Sequence, residues 1–599
     1  MMSDTGAERI LKRMYHRSIR LSYAGTMIVM INSVIDGMII SHYLGGRAAA
    51  AFGLVMPFYS LMNLIPVLLR YSVHTRIGEC LGRGDTKEAG QSLSVLIAAG
   101  IIASVPLILS LTVFRTGTLS LLTAGAAHSD GIISMASEYM RFLSAAIIPI
   151  MLCSVLHSVM QLDGDIKRSP RAILISAAAN IACDLANVLI FHGGMAGMAI
   201  ATDISCFAEF IILLMHYTNK NCVLRPAVIV DRSRLSISAL FSGGLSFMFR
   251  EMTAFISGIL LNRMAFSLAG ETGVSVLCIG NTMWLFLLPA AMAVSSTGTV
   301  LGSVSGGESD RQGVDLVFKL GLFYACVPGV LLAAVFAAVS RPLAEFCVGG
   351  GTQRLSMTIG LLRCLAFTLP MTMVCQACIS HLIVTGRRRC AVAAGILDGG
   401  VLLIPVSLLM GNIFGISGLW AARSASSLIM TVIVLMIMII TGTGSEPVTL
   451  KDTAGYSNDT SDAVSNAVYH IGKSVSDISE IIDLSEQVRS FLMEKGMELR
   501  ICTLAALCLE ELACNTLEWG YDHGKHTEID IRTVYDNGRL TLRLRDSGKQ
   551  FDPYLYVQQF VTTDGDPSKN IGLRIVSGIA SEMRYACVAD CNIVIVRIV

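Results

Sequence analysis

Charge is scarce in this chain. Of its 599 residues, 15% are Asp, Glu, Lys or Arg, against about a quarter in an ordinary soluble domain. Most of the polypeptide is therefore not composed to face water. Excess charge of either sign is also missing. A net charge of +1 excludes bulk attraction to an acidic polymer, and no nucleic-acid partner is expected. The basic N-terminus leads into an apolar run without a small-residue cleavage site, so it is not read as a removed signal peptide. Cysteine is present, with 17 residues, but a disulfide framework is not. The cysteines are scattered through apolar runs and read as small buried side chains. CQACISH (375–381) places Cys375, Cys378 and His381 at helical intervals. With no second ligand cluster, helix packing is the better reading than a metal centre.

What fills the chain instead is long apolar runs, with a mean hydropathy of +0.64. Up to about residue 441 these runs are long enough to cross roughly 30 Å of hydrocarbon. Twelve spans are predicted, near 19–41, 49–72, 91–114, 139–160, 171–192, 195–217, 238–261, 274–302, 316–340, 356–384, 391–411 and 416–440. Lys and Arg cluster before the first span (Arg9, Lys12, Arg13, Arg17, Arg20) and after the second, fourth, sixth and tenth. The alternate loops hold few. The positive-inside rule then places both termini in the cytoplasm, in a multi-pass protein of the cell membrane surrounded by lipid. Four regions follow: an N-lobe of six spans over 1–220, a C-lobe of six over 221–440, a polar linker at 441–465, and a soluble domain at 466–599.

The lobes echo one another. Arg141 precedes Gly164 as Arg363 precedes Gly386, each pair bracketing a span that ends in a basic turn, DGDIKR or TGRRR. The GRGD turn (82–85) aligns with SGGE (305–308). Six spans per lobe is even, so the copies share orientation and are related by an axis along the membrane normal, which suits alternating access.

GRGDTKEAG after the second span is similar to the glycine-rich turn of multidrug and toxic compound extrusion (MATE) transporters. QLDGDIKRSPRAILISAAANIACDLANVLIFHGGMAGMAIATDIS (161–205) resembles that family's fourth-to-sixth-helix region, and TGRRRCAVAAGILDGG and FGISGLWAA echo it in the second lobe. The resemblance covers roughly residues 15–440 and implies a secondary active exporter of small organic molecules, cationic or drug-like. Lipid-linked oligosaccharide flippases share the architecture.

Ionisable residues inside the bilayer cost a few kcal/mol and usually have a task. Asp36 lies within the first span; Asn180 and Asp184 share one face of the fifth; Thr202 and Asp203 begin the sixth. Two carboxylates with an amide and a hydroxyl suit a hard cation or a shared proton. The bland alternative is helix-to-helix hydrogen bonding. The resemblance implies that Asp36, Asn180, Asp184 and Thr202 couple Na⁺ or H⁺ entry to export. In the seventh span Arg250 and Glu251 are candidate substrate-cleft residues, expected not to pair because neighbours on a helix point apart.

The soluble domain reads as helices on one face of an antiparallel sheet. Ile481, Leu484, Val488 and Leu492 line one helix stopped by Gly496, and LRICTLAALCLEELACNTLEWGY is a second. TEIDIRTVYDNGRLTLRLRD is a hairpin about Asn537-Gly538, NIGLRIVSGIASEM a further helix, and CNIVIVRIV the last strand. This order resembles the GHKL ATP-binding fold, in its anti-sigma-factor serine kinase branch. Glu511 and Asn515 form the E-x-x-x-N box, RDSGKQFDP the D-x-G box and KNIGLRIV the last glycine box. The resemblance implies ATP with Mg²⁺. Glu511 would be the catalytic carboxylate, Asn515 the Mg²⁺ ligand and Asp546 the adenine acceptor. Gly548, Gly572 and Leu573 would border the nucleotide, and the partner would be a serine-bearing cytoplasmic protein. The pattern departs at Gln550 and Asn570, which stand where glycines are usual, and at Asn592. No histidine-kinase dimerisation helix precedes the domain, and His470 is expected to be an ordinary strand residue. Two rival readings remain open here: a membrane receptor governing a serine kinase, and a lipid-linked saccharide flippase.

Overall fold

The computed structural model describes residues 6–115, 117, 130–218, 222–227, 236–308, 310–348, 352–441, 469–520, 529–536, 539–562, 571–589 and 591–598. Among these, ten helices are long and apolar enough to cross a membrane. Two of the ten are each a pair of crossings. Ile237–Gly307 breaks at Ala269 and Gly270 (φ 58°), and Arg388–Thr441 breaks at Gly415 (φ 64°). A positive φ is cheap only without a Cβ, so glycine sits where the chain must reverse. Divided at these breaks, the helices are the twelve segments that hydropathy predicts.

The repeat is visible in the turns. Gly164 (φ 72°) and Gly386 (φ 79°) end corresponding spans in the same left-handed conformation. The turn after the second span and the turn after the eighth also meet face to face. A Cβ on Gly82 would lie 2.1 Å from the Val304 carbonyl oxygen, and one on Gly307 would lie 2.2 Å from the Glu79 carbonyl oxygen. These contacts are reciprocal, as a pseudo-twofold axis between lobes requires, when Gly82 is matched with Gly307 and Glu79 with Val304. Asp85 and Asp310 then cap corresponding helices, so the GRGD turn corresponds to GESD (307–310), two residues beyond the expected SGGE. The lobes thus close on each other backbone to backbone, and only glycine admits that approach. Arg388 of the C-lobe adds an ion pair to Glu79 at 3.8 Å.

The soluble domain has five strands: β1 (Tyr469–Val475), β2 (Ile529–Asp536), β3 (Arg539–Asp546), β4 (Glu582–Val588) and β5 (Cys591–Ile598). They pair antiparallel in the order β1-β2-β3-β5-β4. Four helices accompany them: α1 (Ile478–Glu494), α2 (Leu499–Trp519), α3 (Pro553–Thr562) and α4 (Ile571–Ile579). The predicted apolar side of α1 is buried together with Leu540, Leu542 and Leu544 of β3 and with Val594 and Val596 of β5. Gly496 (φ 79°) follows α1, and His470 lies in β1, both as expected. Asp536 pairs with Arg539 across the predicted hairpin, while Asn537 and Gly538 themselves lie outside the described residues, as do 442–468 and Asn570.

The opposite sheet face is not solvated. Ala586, Val588, Ile593 and Ile595 join the apolar core of the membrane part. Successive strand residues point to opposite faces, so β5 is apolar on both because both are covered.

Candidate functional site

In the N-lobe the first and fifth spans bring the predicted acids and Asn180 together. Asn32 Nδ2 donates to Asn180 Oδ1 at 2.7 Å and, more weakly, to Asp36 Oδ2 at 3.4 Å. Asp184 and Asn180 are nearly inaccessible, at 1% and 2% exposure. With both acids ionised, the Asp184 carboxylate oxygens and Asp36 Oδ1 are buried with no donor, and Asn180 Nδ2 with no acceptor, among the described residues. The two carboxyls lie within hydrogen-bond reach of each other, so one added proton can be shared between them. An unmet buried polar atom costs about 1–3 kcal/mol, and more when charged. Several such atoms converge here from two separate helices. This donor set, mostly oxygen, fits a hard cation or protons. Thr202 is placed differently from the acids: its hydroxyl donates to the Met198 carbonyl at 3.2 Å, back along its own helix. Sequence reasoning missed Asn32, whose signal was its place four residues before Asp36 on one helix face.

The C-lobe polar cluster corrects one expectation. Arg250 does pair with Glu251, through Nη2 and Oε1. The guanidinium is long enough to fold back past its own helix, and in apolar surroundings charge pairing outweighs divergent Cα–Cβ directions. Asp398, which sequence reasoning did not single out, accepts from Gln376 Nε2 at 3.0 Å and lies in the fields of Arg250 and Arg423. It sits in a wide helical turn, Leu397–Val401, of the kind common at functional positions. Arg423 stacks over Trp284 at 4.7 Å.

Cys375 lies 3.4 Å from the Thr431 hydroxyl, and the His381 ring packs on Phe318 with centroids 4.4 Å apart.

In the soluble domain the three boxes converge. A Cβ on Gly572 would lie 1.9 Å from Glu511 Oε2, so the last glycine box rests directly against the E-x-x-x-N helix. Asn515 lies one turn beyond Glu511 on α2, half-buried, and Leu573 is buried in the core. Asp546 Oδ1 accepts from Gly548 N at 2.8 Å and from Asn592 Nδ2 at 2.9 Å. Neither bond engages Oδ2, which leaves that oxygen for a base's amino group. Burial raises the Asp546 carboxyl above the ordinary range, with the two hydrogen bonds opposing. Gly548 must be glycine, since a Cβ there would fall 2.4 Å from the Gly520 carbonyl oxygen. Asn592 proves to be the side chain that anchors Asp546, held in turn by the Tyr585 hydroxyl at 2.7 Å. This cradle fits ATP, and Glu511 with Asn515 fits the divalent ion that accompanies phosphates.

The second departure from the glycine pattern also has a partner. Gln550 Nε2 donates to the Gly164 carbonyl at 3.3 Å, on the turn after the fourth span. The contact is part of a wide interface. Glu308, after the eighth span, pairs with both Arg543 and Arg545, and Asp310 pairs with Arg532. Arg597 Nη2 donates to the Arg83 carbonyl at 2.8 Å, and Arg584 reaches Gly84 and Asp85. Burial raises the Asp310 carboxyl, but the Arg532, Arg543 and Arg545 guanidiniums outweigh it and hold that carboxyl below its ordinary value.

Comparison with known proteins agrees with both halves. Residues 23–186 match the MatE family and residues 479–598 the histidine kinase-like ATPase domain. The multidrug export protein MepA of Staphylococcus saprophyticus is 23% identical over 444 residues, covering 72% of this chain and 94% of its own. MepA of Staphylococcus aureus (strain bovine RF122 / ET3-1) is 22% identical over the same shares. The crystal structure of the Vibrio cholerae MATE transporter VcmN superposes with a TM-score of 0.64 at 19% identity, covering 72% of this chain and 97% of that one. A MOP superfamily transporter from Pyrococcus furiosus gives 0.65 at 17%, covering 72% and 96%. The chain thus carries a MatE domain within a membrane part that has the MATE transporter fold, joined to a histidine kinase-like ATPase domain.

Proposed function

We propose that the chain is a secondary active exporter of small organic molecules, cationic or drug-like, driven by Na⁺ or H⁺ antiport. The observation that carries this reading is the set of unpaired carboxylate oxygens of Asp36 and Asp184 beside Asn180 and Asn32. A cation or proton entering there satisfies them, and its release restores the unmet charge. Export is then the lobe motion that exchanges one occupant for the other. The matching residue range and the export function of the MepA relatives support it. The domain boundaries are those read from the chain, 1–220, 221–440, 441–465 and 466–599, with both termini cytoplasmic, where ATP is available.

The ATPase domain is proposed as a regulator. Asp546 would read adenine, with Gly548 permitting its close approach, and Asn515 would hold Mg²⁺. The chain at Gly572 and Leu573 would border the phosphates, the Leu573 side chain packing behind it in the core. ATP supplies the phosphoryl group, and Glu511 would orient a serine hydroxyl of a cytoplasmic partner. Should that partner not exist, the same site is a nucleotide sensor.

The test is ion-gradient-driven efflux of a fluorescent organic cation from proteoliposomes holding the full chain. Asp36→Asn and Asp184→Asn are each expected to abolish gradient-driven efflux while inserting normally. Undiminished efflux from both variants would overturn the coupling site.

A further inference from the structure

The ATPase domain touches both lobes at once, beside one of the places where the lobes meet. On the N-lobe it holds Arg83, Gly84 and Asp85 through Arg584 and Arg597, and Gly164 through Gln550. On the C-lobe it holds Glu308 through Arg543 and Arg545, and Asp310 through Arg532. Between these two sets runs the glycine seam of Gly82 and Gly307. We infer that this domain is a latch that recognises the closed seam, and that nucleotide at Asp546 sets how firmly it holds. The inference rests on the exporter reading above, whose lobe motion it would govern.

The geometry selects one lobe arrangement. The two contact sets lie on adjacent strands of a single sheet, β3 beside β5 and β5 beside β4. A paired sheet does not stretch. If the seam opened on this side, the domain would keep either Glu308 or the Arg83–Asp85 turn, but not both. Letting go of Glu308 is costly. The Glu308 and Arg545 side chains are 1% and 2% exposed, and separating such a pair leaves buried charge unmet. Releasing the N-lobe turn also uncovers apolar surface, because Ile595 packs on Gly84, where a Cβ would fall 3.0 Å from its Cδ1. A domain that binds one lobe arrangement better than the other shifts the equilibrium towards it by its differential affinity.

The nucleotide link runs through one strand. Arg545 and Asp546 are neighbours on β3 and project to opposite faces, one to the transporter and one to the nucleotide cradle. Asp546 pairs across to Asn592 on β5, and Asn592 also holds the Lys549 carbonyl at 2.9 Å. The next residue, Gln550, bonds the transporter turn. That turn is itself fixed. Asp163 accepts from His216, from Cys222 and from the backbone N–H groups of Val223 and Leu224. These four donors satisfy its carboxylate and make the turn a firm anchor. A ligand that shifts the Asp546–Lys549 segment therefore shifts a contact with the N-lobe.

Distance measurements on labelled full chain in detergent test this without requiring transport. Labels at exposed Lys87 and Gln312 read the seam, and labels at exposed Gln312 and Glu494 read docking. Glu308→Gln on one side and Arg543→Ala/Arg545→Ala on the other are each expected to lengthen both distances. Mg-ATP is expected to change the population of the short seam distance in the wild type and not in Asp546→Ala. Undocking with an unchanged seam distribution would overturn the latch, as would a seam indifferent to ATP. Because the readout is conformational, a failed latch is distinguishable from a failed exporter, which only the Asp36 and Asp184 efflux assay reports.

Discussion

The two lobes share a backbone plan but treat their buried acids in opposite ways. In the N-lobe, Asp36 and Asp184 face Asn32 and Asn180, with no cation of the protein's own among their hydrogen-bond and ion-pair partners in the described residues. In the C-lobe, Glu251 pairs with Arg250, and Asp398 is bonded by Gln376 within the fields of Arg250 and Arg423. Charge compensated internally is structure; charge left open is a request for a ligand. The difference supports the proposal that cation coupling lies in the N-lobe.

The largest expected effect is on the C-lobe's integrity. Asp398→Ala removes the carboxylate whose field reaches both Arg250 and Arg423, leaving Arg250 with Glu251 alone and Arg423 without that acid. Breaking a buried ionic cluster costs about 3–5 kcal/mol. Thermal unfolding of the purified protein should show this loss, with export per folded molecule largely kept. Asp184→Asn should behave the other way round. Removing a charged contact of about 2–3 kcal/mol weakens coupling on the order of 100-fold while stability holds or rises. If the two variants exchanged these phenotypes, the comparison between lobes would fail.

A middle-sized effect is expected at the seam. Gly82→Ala drives a methyl to 2.1 Å from the Val304 carbonyl oxygen, an overpacking of about 1–3 kcal/mol. The Lys87–Gln312 distance should lengthen even with the ATPase interface intact. An unchanged distance would show that the seam tolerates a side chain.

How far the sequence alone could reach follows from the range of each interaction. The twelve spans, the glycine turns and the three nucleotide boxes are local patterns, readable in windows of a few to two dozen residues. The docking was not readable, because Arg545 and Glu308 lie 237 residues apart and no periodicity joins them. CNIVIVRIV was legible only as a last strand, because the expectation of helices on one sheet face left the other to water, whereas Ile593 and Ile595 pack into the membrane part. Gln550 looked like damage to a nucleotide motif until Gly164 appeared as its partner. Arg250 and Glu251 were misread because side-chain direction at Cβ does not bound the reach of a guanidinium.

A smaller effect concerns pH. Burial raises the Asp546 carboxyl, so in its folded form that group takes up protons at a higher pH than when unfolded. Folding therefore gains stability from this group as pH falls through the folded value and loses it as pH rises. Asp546→Asn should flatten that acidic-range slope in the full chain's ATPase transition and raise stability at neutral pH, while ATP binding weakens. A steeper slope in the variant would contradict the assignment. Asp310 acts in the opposite sense. Its lowered value means that the stability it lends to docking is present at neutral pH and lost in acid, which the Gln312–Glu494 distance would report.

The account stands most directly on cation binding at the N-lobe. The deciding measurement is calorimetric titration of Na⁺ into the detergent-purified full chain, with proton release followed in the same sample. The wild type is expected to give a binding heat, a proton release, or both. Those signals should vanish in Asp184→Asn and persist in folded Asp398→Asn. Signals that survive in Asp184→Asn, or that disappear only in Asp398→Asn, would contradict it.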